Sequence, residues 1–435
     1  MSRRLSMIVS AAVIAALPSR ALAQRPAASA GVAIEHVTVI DPATGVRAVD
    51  QNVVVHGARI MAVGPAAAVK SPAGVPVVDG RGKFLIPGIW DMHAHPFHNF
   101  PARVLPVAVA RGITGIREMG SGIQNTIDGV KLIDEGLLVP RMIVAGPLLD
   151  GIPQGTALPA GAGLTILTPD EGREVVNRLV ALRVNLIKVH NQLSRETFLA
   201  IAEEAKRWHM PFDGHLAAGM TIVEASDAGQ RTIEHIGALQ QACAKDPVAL
   251  RPPARGAEPS TAPIEIDRAK CEETLRHLVR NGTWLTPTIG GPGQGNPRAR
   301  AFNLALVAMA ARAQVRLLPG TDWPGGGYWR GDYGTFERSP QDDLAGMVEA
   351  GLSPLDALRI GTLNPAILLD MRDQLGQVKA GFLADLVVLD ADPLLDIQNL
   401  KRVFAVVANG RLVDAAMRQK VIADELAARK PAANQ

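Results

Sequence analysis

The 435-residue sequence is poor in several residue types, and each shortage excludes a class of protein. Only two cysteines are present, too few for a disulfide-rich scaffold. Basic residues exceed acidic ones by only three and form no block, so nucleic acid is not an expected partner. The clearest apolar run, near the N-terminus, is about a dozen residues long and too short for a good membrane span.

The first 23 residues have the features of an export signal. Arg3 and Arg4 precede the apolar run, and the triplet ALA at 21–23 is typical of a cleavage site. We expect residues 1–23 to be removed and the mature protein, beginning near Gln24, to be periplasmic or secreted without a membrane span. Ordinary secretion and twin-arginine export are both open.

The two cysteines, Cys243 and Cys271, lie in one irregular stretch rich in proline and charged residues. In an oxidising compartment they could form one disulfide. The alternative is a pair of unrelated thiols.

Strand patterns differ between the ends and the middle of the chain. Residues 31–85 and 373–415 contain short alternating strands separated by turn residues, which predicts a small β-sandwich built from both chain ends. In residues 86–372, eight short apolar runs alternate with helix-like stretches, which favours a (β/α)8 TIM-like barrel. A doubly wound open sheet is the alternative, although the chain lacks the GxGxxG motif that often follows an early strand of that fold. Residues 416–435 are expected to be a C-terminal tail.

Three local patterns predict where elements begin or turn. TPDE at 168–171 places a threonine cap, a proline and a glutamate at the start of a helix. SPLD at 353–356 repeats this arrangement, and ANGR at 408–411 predicts a hairpin turn.

The stretch GIWDMHAHPFHN, residues 88–99, places His93, His95 and His98 within six residues of a chain that has ten histidines. Residues two apart in a strand point to the same side, so His93 and His95 would both face the barrel mouth and could bind a divalent metal. His98 lies beyond the predicted strand and is either a loop residue, a support for a ligand or a substrate contact.

Metal-binding side chains also end other predicted strands, where barrel enzymes place their chemistry. These residues are Lys188, His215, His235 and Asp322. A lysine inside the apolar run NLIKV is costly to bury. Carbamylation by CO2 would turn its amine into a carboxylate that can bridge two metals.

These residues and their order resemble the amidohydrolase superfamily. FLIPGIWDMHAH is similar to that family's entry into the first barrel strand, and AGLSPLDALRIGTLNPA to the helix pair after the last one. GFLADLVVLDADPLLDIQNL, followed by VFAVVANGRLV, is similar to the return into the β domain. The resemblance spans residues 31–415 and is nearest to imidazolonepropionase-like and Xaa-Pro-dipeptidase-like hydrolases.

The resemblance implies two divalent metal ions, with zinc expected first and manganese, cobalt or iron as alternatives. The positions that match the family's ligands are His93, His95 and Asp322 for the more buried metal, His215 and His235 for the more exposed one, and a carbamylated Lys188 as the bridge. It further implies that a metal-bridged hydroxide attacks the substrate, with Asp322 and His235 among the catalytic residues.

His190 is a departure from the resemblance, because relatives often have tyrosine two residues after the lysine. It shares a strand face with Lys188 and is a candidate both for catalysis and for substrate binding. It could polarise a carbonyl, hold a carboxylate or compete as a ligand, or be a hydrogen-bonded wall residue.

The expected substrate is a small molecule, and the candidate contacts are Trp284, Trp323, Tyr328 and Arg117. The aromatic residues could cover an apolar group, and the arginine could bind a carboxylate. The first hypothesis is an amidohydrolase acting on a dipeptide, an N-acyl amino acid or a cyclic amide. A phosphotriesterase or lactonase with the same ligands, and a non-catalytic metal-binding or ligand-binding periplasmic protein, are the alternatives. A homo-oligomer is expected.

Overall fold

The computed structural model of the chain describes residues 31–98, 101–152, 163–251, 260–291, 293, 296–323 and 338–429. The predicted export signal at 1–23 and the candidate substrate contact Tyr328 lie outside these residues. Within them, no helix is both long enough and apolar enough to pass through a bilayer.

The described residues form seventeen strands and eleven α-helices. The strands are β1 (Val32–Ile40), β2 (Arg47–His56), β3 (Arg59–Pro65), β4 (Val77–Asp79), β5 (Phe84–Pro87), β6 (Ile89–Ala94), β7 (Ile113–Glu118), β8 (Arg141–Val144), β9 (Leu148–Asp150), β10 (Gly163–Thr165), β11 (Ile187–Val189), β12 (Phe212–Gly214), β13 (Thr232–Glu234), β14 (Trp284–Thr286), β15 (Leu386–Leu389), β16 (Val403–Ala408) and β17 (Arg411–Val413). The helices are α1 (Pro101–Ala110), α2 (Ile123–Asp134), α3 (Pro169–Ala181), α4 (Arg195–Arg207), α5 (Ile222–Asp227), α6 (Gly237–Cys243), α7 (Arg268–Asn281), α8 (Pro297–Arg312), α9 (Pro340–Glu349), α10 (Pro354–Leu368) and α11 (Ala415–Arg429).

Both chain ends contribute to one eight-stranded sheet. Its strand order is β17-β16-β15-β5-β1-β2-β3, with β4 beside β1. Strands from both ends of the chain therefore lie in the same sheet. Hydrogen bonding joins all eight strands in a single sheet, which does not establish the two packed layers of a sandwich.

The middle of the chain is a parallel α/β domain of the TIM-like kind. Strands β6, β7 and β8 form one parallel sheet, and β9 to β14 form a second. The segment after α8 contacts both: Leu318 N donates to Leu285 O on β14, and Met92 N on β6 donates to Pro319 O, each at 2.9 Å. Because the strands are parallel, their carboxyl ends lie at one side of the domain.

The predicted starts and turns are present. Thr168 and Glu171 form a reciprocal capping box at α3, and the Ser353 side chain accepts from Asp356 N at α10. The β16–β17 hairpin turns through Asn409 and Gly410, with φ of 50° and 78°. Two positive φ values are what the tight type I′ turn requires, and asparagine followed by glycine adopts them at low cost.

The two cysteines are bonded to each other, which is one of the two alternatives that the sequence left open. Cys243 at the end of α6 and Cys271 in α7 are joined by a disulfide, and both are buried. In the expected C-terminal tail, residues 415–429 form α11. Arg418 Nε on this helix donates to Ala110 O at 2.7 Å, which fixes α11 against the end of α1.

Candidate metal centre

His93 and His95 point to the same side of β6, as their spacing predicts. His93 is completely buried, and its Nδ1 lies 2.6 Å from Glu234 Oε2. His95 Nδ1 lies 2.8 Å from Gly120 O. Each ring therefore uses Nδ1 for a supporting hydrogen bond and keeps Nε2 for the site. Such support fixes the orientation and tautomer of metal-binding histidines.

Donor atoms of five predicted ligands converge in two groups of three that share His93. The members of each group lie within 4.8 Å of one another, and the groups are His93, His95, Asp322 and His93, His215, His235. Asp322 Oδ1 is 3.2 Å from His93 Nε2 and 3.3 Å from His95 Nε2. Three imidazole or carboxylate donors at this separation suit one divalent ion.

In the second group, His215 and His235 each directly follow a strand, β12 and β13 respectively. Lys188 on β11 pairs with Asp213 on β12, so the residues two positions later, His190 and His215, are also adjacent. His215 Nε2 and His235 Nε2 are 3.0 Å apart. Burial lowers the pKa of His215 well below its ordinary value and that of His235 to about 3. Both rings are thereby held neutral, which is the form that binds metals.

Lys188 is fully buried, and its Nζ has no hydrogen-bond partner among the residues that the structure describes. Burial lowers the pKa of this amine to about 8. A buried unpaired ammonium is strongly unfavourable, so the position suits a neutral amine or a modified one.

Backbone conformation at the strand ends is unusual. His235 has a φ of 66° and Asp322 a φ of 56°, both in the left-handed region that side chains other than glycine rarely adopt. His235 N donates to Thr286 O, and Asp322 N donates to His93 O. Hydrogen bonds to neighbouring strands thus hold both predicted metal ligands in strained turns. Strained backbone of this kind is concentrated at functional sites.

A layer of buried charges lies beneath the metal centre, and it corrects the expectation for Arg117. Its guanidinium is fully buried and contacts Asp213 at 3.1 Å and Glu234 at 2.8 Å. Its Nε donates to Met92 O at 2.6 Å. The prediction that Arg117 binds a substrate carboxylate is wrong, because its hydrogen bonds are made inside the domain. Glu234, unnoticed in the sequence although it precedes His235, connects this layer to His93.

His190 lies at the edge of the centre and has an ordered partner. Its ring centroid is 4.3 Å from that of His215, and its Nδ1 is 2.7 Å from Asp150 Oδ2. Asp150, at the end of β9, was not recognised in the sequence because it belongs to a strand that was not predicted.

The two aromatic candidates among the described residues, Trp284 and Trp323, pack in different apolar clusters. Trp284 is the first residue of β14 and pairs with Thr232, the first residue of β13, so it lies at the opposite strand end from His235. It packs in a buried cluster with Leu186 and Leu318. The expectation of a substrate contact is therefore wrong for Trp284.

The other two residues beside the strand ends pack against the domain. Trp323 directly follows Asp322, but its indole packs against the apolar cluster that contains Phe97 and Val104, which does not support a substrate contact. His98 belongs to a short 3₁₀ helix and stacks on His95 with 5.0 Å between ring centroids. It therefore supports a predicted ligand.

The fold and this donor set define the class: a parallel α/β domain with a candidate metal centre at the carboxyl ends of its strands. Residues 84–413 match the amidohydrolase family. Since this match covers most of the sequence, the chain belongs to the amidohydrolase family, whose members typically depend on metal ions.

Individual relatives are distant. Adenine deaminase of Serratia proteamaculans is 27% identical over 383 residues, which cover 82% of this chain and 53% of that protein. The chain thus spans about half the length of this relative. Ochratoxinase of Aspergillus niger is 24% identical over 382 residues, 73% of this chain and 72% of that one. A crystal structure of a Xaa-Pro dipeptidase with bound methionine has a TM-score of 0.66 at 20% identity, and the similarity covers 89% of this chain and 100% of that one.

Proposed function

We propose that the protein is a binuclear metal-dependent amidohydrolase that cleaves an amide bond of a dipeptide, an N-acyl amino acid or a cyclic amide. The observation that carries the proposal is the pair of three-donor groups that share His93. Similarity to ochratoxinase and to a Xaa-Pro dipeptidase structure supports an amide substrate.

The donor set fits two divalent ions. His93, His95 and Asp322 would hold one, His215 and His235 the other, and these are the donors that zinc, manganese, cobalt or iron accept. The orphaned amine of Lys188 is the observation that favours a modified bridge. Its carbamate would place negative charge where two cations meet and would relieve the cost of a buried unpaired amine.

The protein's own residues provide the remaining chemistry. When bound, the ions supply Lewis acidity and lower the pKa of coordinated water toward neutrality. The Asp322 carboxylate is positioned to accept a proton and return it to the leaving nitrogen. Its Oδ1 faces His93 and His95, and its turn is fixed through Asp322 N and His93 O.

The test is a substrate panel with zinc or manganese and bicarbonate added. Dipeptides, N-acyl amino acids and cyclic amides are compared with lactones and aryl phosphotriesters, with His93→Ala as the control for metal-dependent turnover. Preferred hydrolysis of an amide is expected. Preference for a lactone or phosphotriester, or full metal binding without turnover of any compound, would overturn the proposal.

The proposal includes a closed eight-stranded barrel. The hydrogen bonds that Leu318 and Pro319 form with β14 and β6 support this closure. Residues 86–372 would form this barrel, and residues 31–85 with 373–415 would form the β-sandwich domain.

The disulfide supports export to an oxidising compartment. We further propose a homo-oligomer and no nucleic-acid partner, to be checked by light scattering and nucleic-acid binding.

A further inference from the structure

We propose that Asp150 and His190 form a tautomer-fixed pair that presents a hydrogen-bond acceptor to the substrate, so that the enzyme prefers secondary amides, which carry an N–H, over N-alkylated amides. This inference rests on the proposed amide-cleaving function and deepens it. It starts from the one candidate site residue that departs from the family pattern.

Asp150 is a buried carboxylate whose two oxygens have separate uses. Oδ1 accepts from the backbone N–H groups of Gly151 at 3.0 Å and Gln192 at 2.8 Å. Oδ2 is 2.7 Å from His190 Nδ1. The two backbone donors fix the carboxylate, and its second oxygen then requires a proton on His190 Nδ1.

Within the described part of the chain, these contacts use only Nδ1 of the His190 ring, so that Nε2 is left for the substrate. With the proton on Nδ1, Nε2 of the neutral ring is an acceptor. His190 N donates to Leu149 O at 2.8 Å, which holds His190, the residue after β11, beside β9, the strand that ends with Asp150. The ring adjoins His215, a proposed ligand, at 4.3 Å between centroids. The acceptor therefore belongs to the wall of the metal centre, and the donor that an amide can offer it is its N–H.

The substitution Asp150→Asn should move the proton of the His190 ring to the other nitrogen while keeping the shape of the side chain at position 150. The asparagine oxygen can still accept from Gly151 N and Gln192 N, which turns its amide nitrogen toward His190 Nδ1. An N–H donor at that position favours the other tautomer, with the proton on Nε2. The wall group would then be a donor instead of an acceptor.

Asp50→Asn is a matched control, because Asp50 also pairs with a histidine Nδ1, that of His36, at 2.6 Å. This pair lies on β1 and β2, in the eight-stranded sheet. The control removes an Asp–His pair of the same chemistry without touching the parallel domain.

The first readout is the tautomer itself. Nitrogen-15 spectra of histidine-labelled protein, with and without zinc, separate N–H from lone-pair nitrogens, and His190→Gln identifies the signals of His190. We expect Nδ1–H in the wild type and in Asp50→Asn, and Nε2–H in Asp150→Asn. Protons on both nitrogens in the wild type, or the same tautomer in all three proteins, would overturn the proposal.

The second readout is specificity, measured on the secondary amide that the wild type cleaves best and on its N-methyl counterpart. We expect the wild type and Asp50→Asn to favour the N–H compound by about 10- to 100-fold in kcat/KM. Asp150→Asn should reduce this ratio at least about tenfold at unchanged metal content. An unchanged ratio would refute the specificity role. If the wild type cleaves no amide, the proposed function fails, while the spectra still decide whether Asp150 sets the tautomer.

Discussion

Two buried polar layers, one above the other, satisfy their charges in opposite ways. In the lower layer, Arg117 contacts Asp213 and Glu234, and Asp213 also pairs with Arg231 at 2.7 Å. In the upper layer, Lys188 Nζ is buried without a hydrogen-bond partner among the described residues, and His93 Nε2 faces Asp322 Oδ1 at 3.2 Å. The charges of the lower layer are paired, whereas the buried amine of the upper layer is costly unless something binds or modifies it.

His93 belongs to both layers. Its Nδ1 lies against Glu234 of the lower layer, and its Nε2 lies 3.2 Å from Asp322 of the upper one. The comparison indicates that the lower layer is scaffold and the upper layer is a binding site. The following substitutions test this division, in order of decreasing effect on the site.

His93→Ala should have the largest effect, because it removes the donor that both three-atom groups share. Metal content and turnover should fall together to background. Metal analysis of the purified variant gives the result, with His56→Ala on the β domain as the control. A variant that retains two equivalents of metal would break the distinction between the layers.

Lys188→Ala should be inactive but partly restored by short carboxylic acids. The substitution leaves a cavity where the orphaned amine was, and a small carboxylate could occupy it and bridge the metals. Turnover is measured against acid concentration, with Lys83→Ala, which loses an ion pair in the eight-stranded sheet, as the control. Wild-type protein whose Lys188 is an unmodified amine by mass spectrometry under bicarbonate would contradict the carbamate.

Asp322→Asn should separate binding from catalysis. The amide oxygen can still coordinate, though more weakly, but the side chain can no longer carry a proton. Turnover should fall about 10²- to 10⁴-fold, the usual contribution of a positioned acid–base group, and the loss should appear in kcat more than in KM. Normal turnover with both metals bound would require another base.

Glu234→Gln should have the smallest effect on the site, because it acts on His93 from the lower layer. Metal affinity should weaken about 10–100-fold, as expected when the partner of a ligating histidine is altered, and excess metal should recover activity. Protein stability should also fall, since Arg117 loses a buried charged partner. Glu349→Gln, which disrupts the Arg300 pair away from the centre, should lower stability without changing metal affinity.

The sequence predicted those parts of the molecule that depend on local pattern. The two-residue spacing of His93 and His95 is a property of any strand, and the capping box at Thr168 needs only four residues. The order of donors at strand ends was also readable, because parallel strands bring their carboxyl ends together. The disulfide between Cys243 and Cys271 was an open alternative that the structure decides.

What the sequence did not reveal depends on height along a strand and on partners far away in the chain. Trp284 and Arg117 both lie on predicted strands, but only the packed structure shows that they lie beneath the site. The carboxylates that pair with Arg117, those of Asp213 and Glu234, come from other strands. Its own strand therefore gave no sign that the guanidinium is buried. Asp150 was missed because its meaning depends on His190, forty residues later.

The most direct test of the central claim, that the upper layer is a two-metal site, is anomalous diffraction from crystals of zinc-loaded protein grown with bicarbonate. We expect two anomalous peaks, one among His93, His95 and Asp322 and one beside His215 and His235. We also expect extra density on Lys188 Nζ between them. A single peak, peaks outside these residues, or a bare Lys188 amine with both metals bound would contradict this claim.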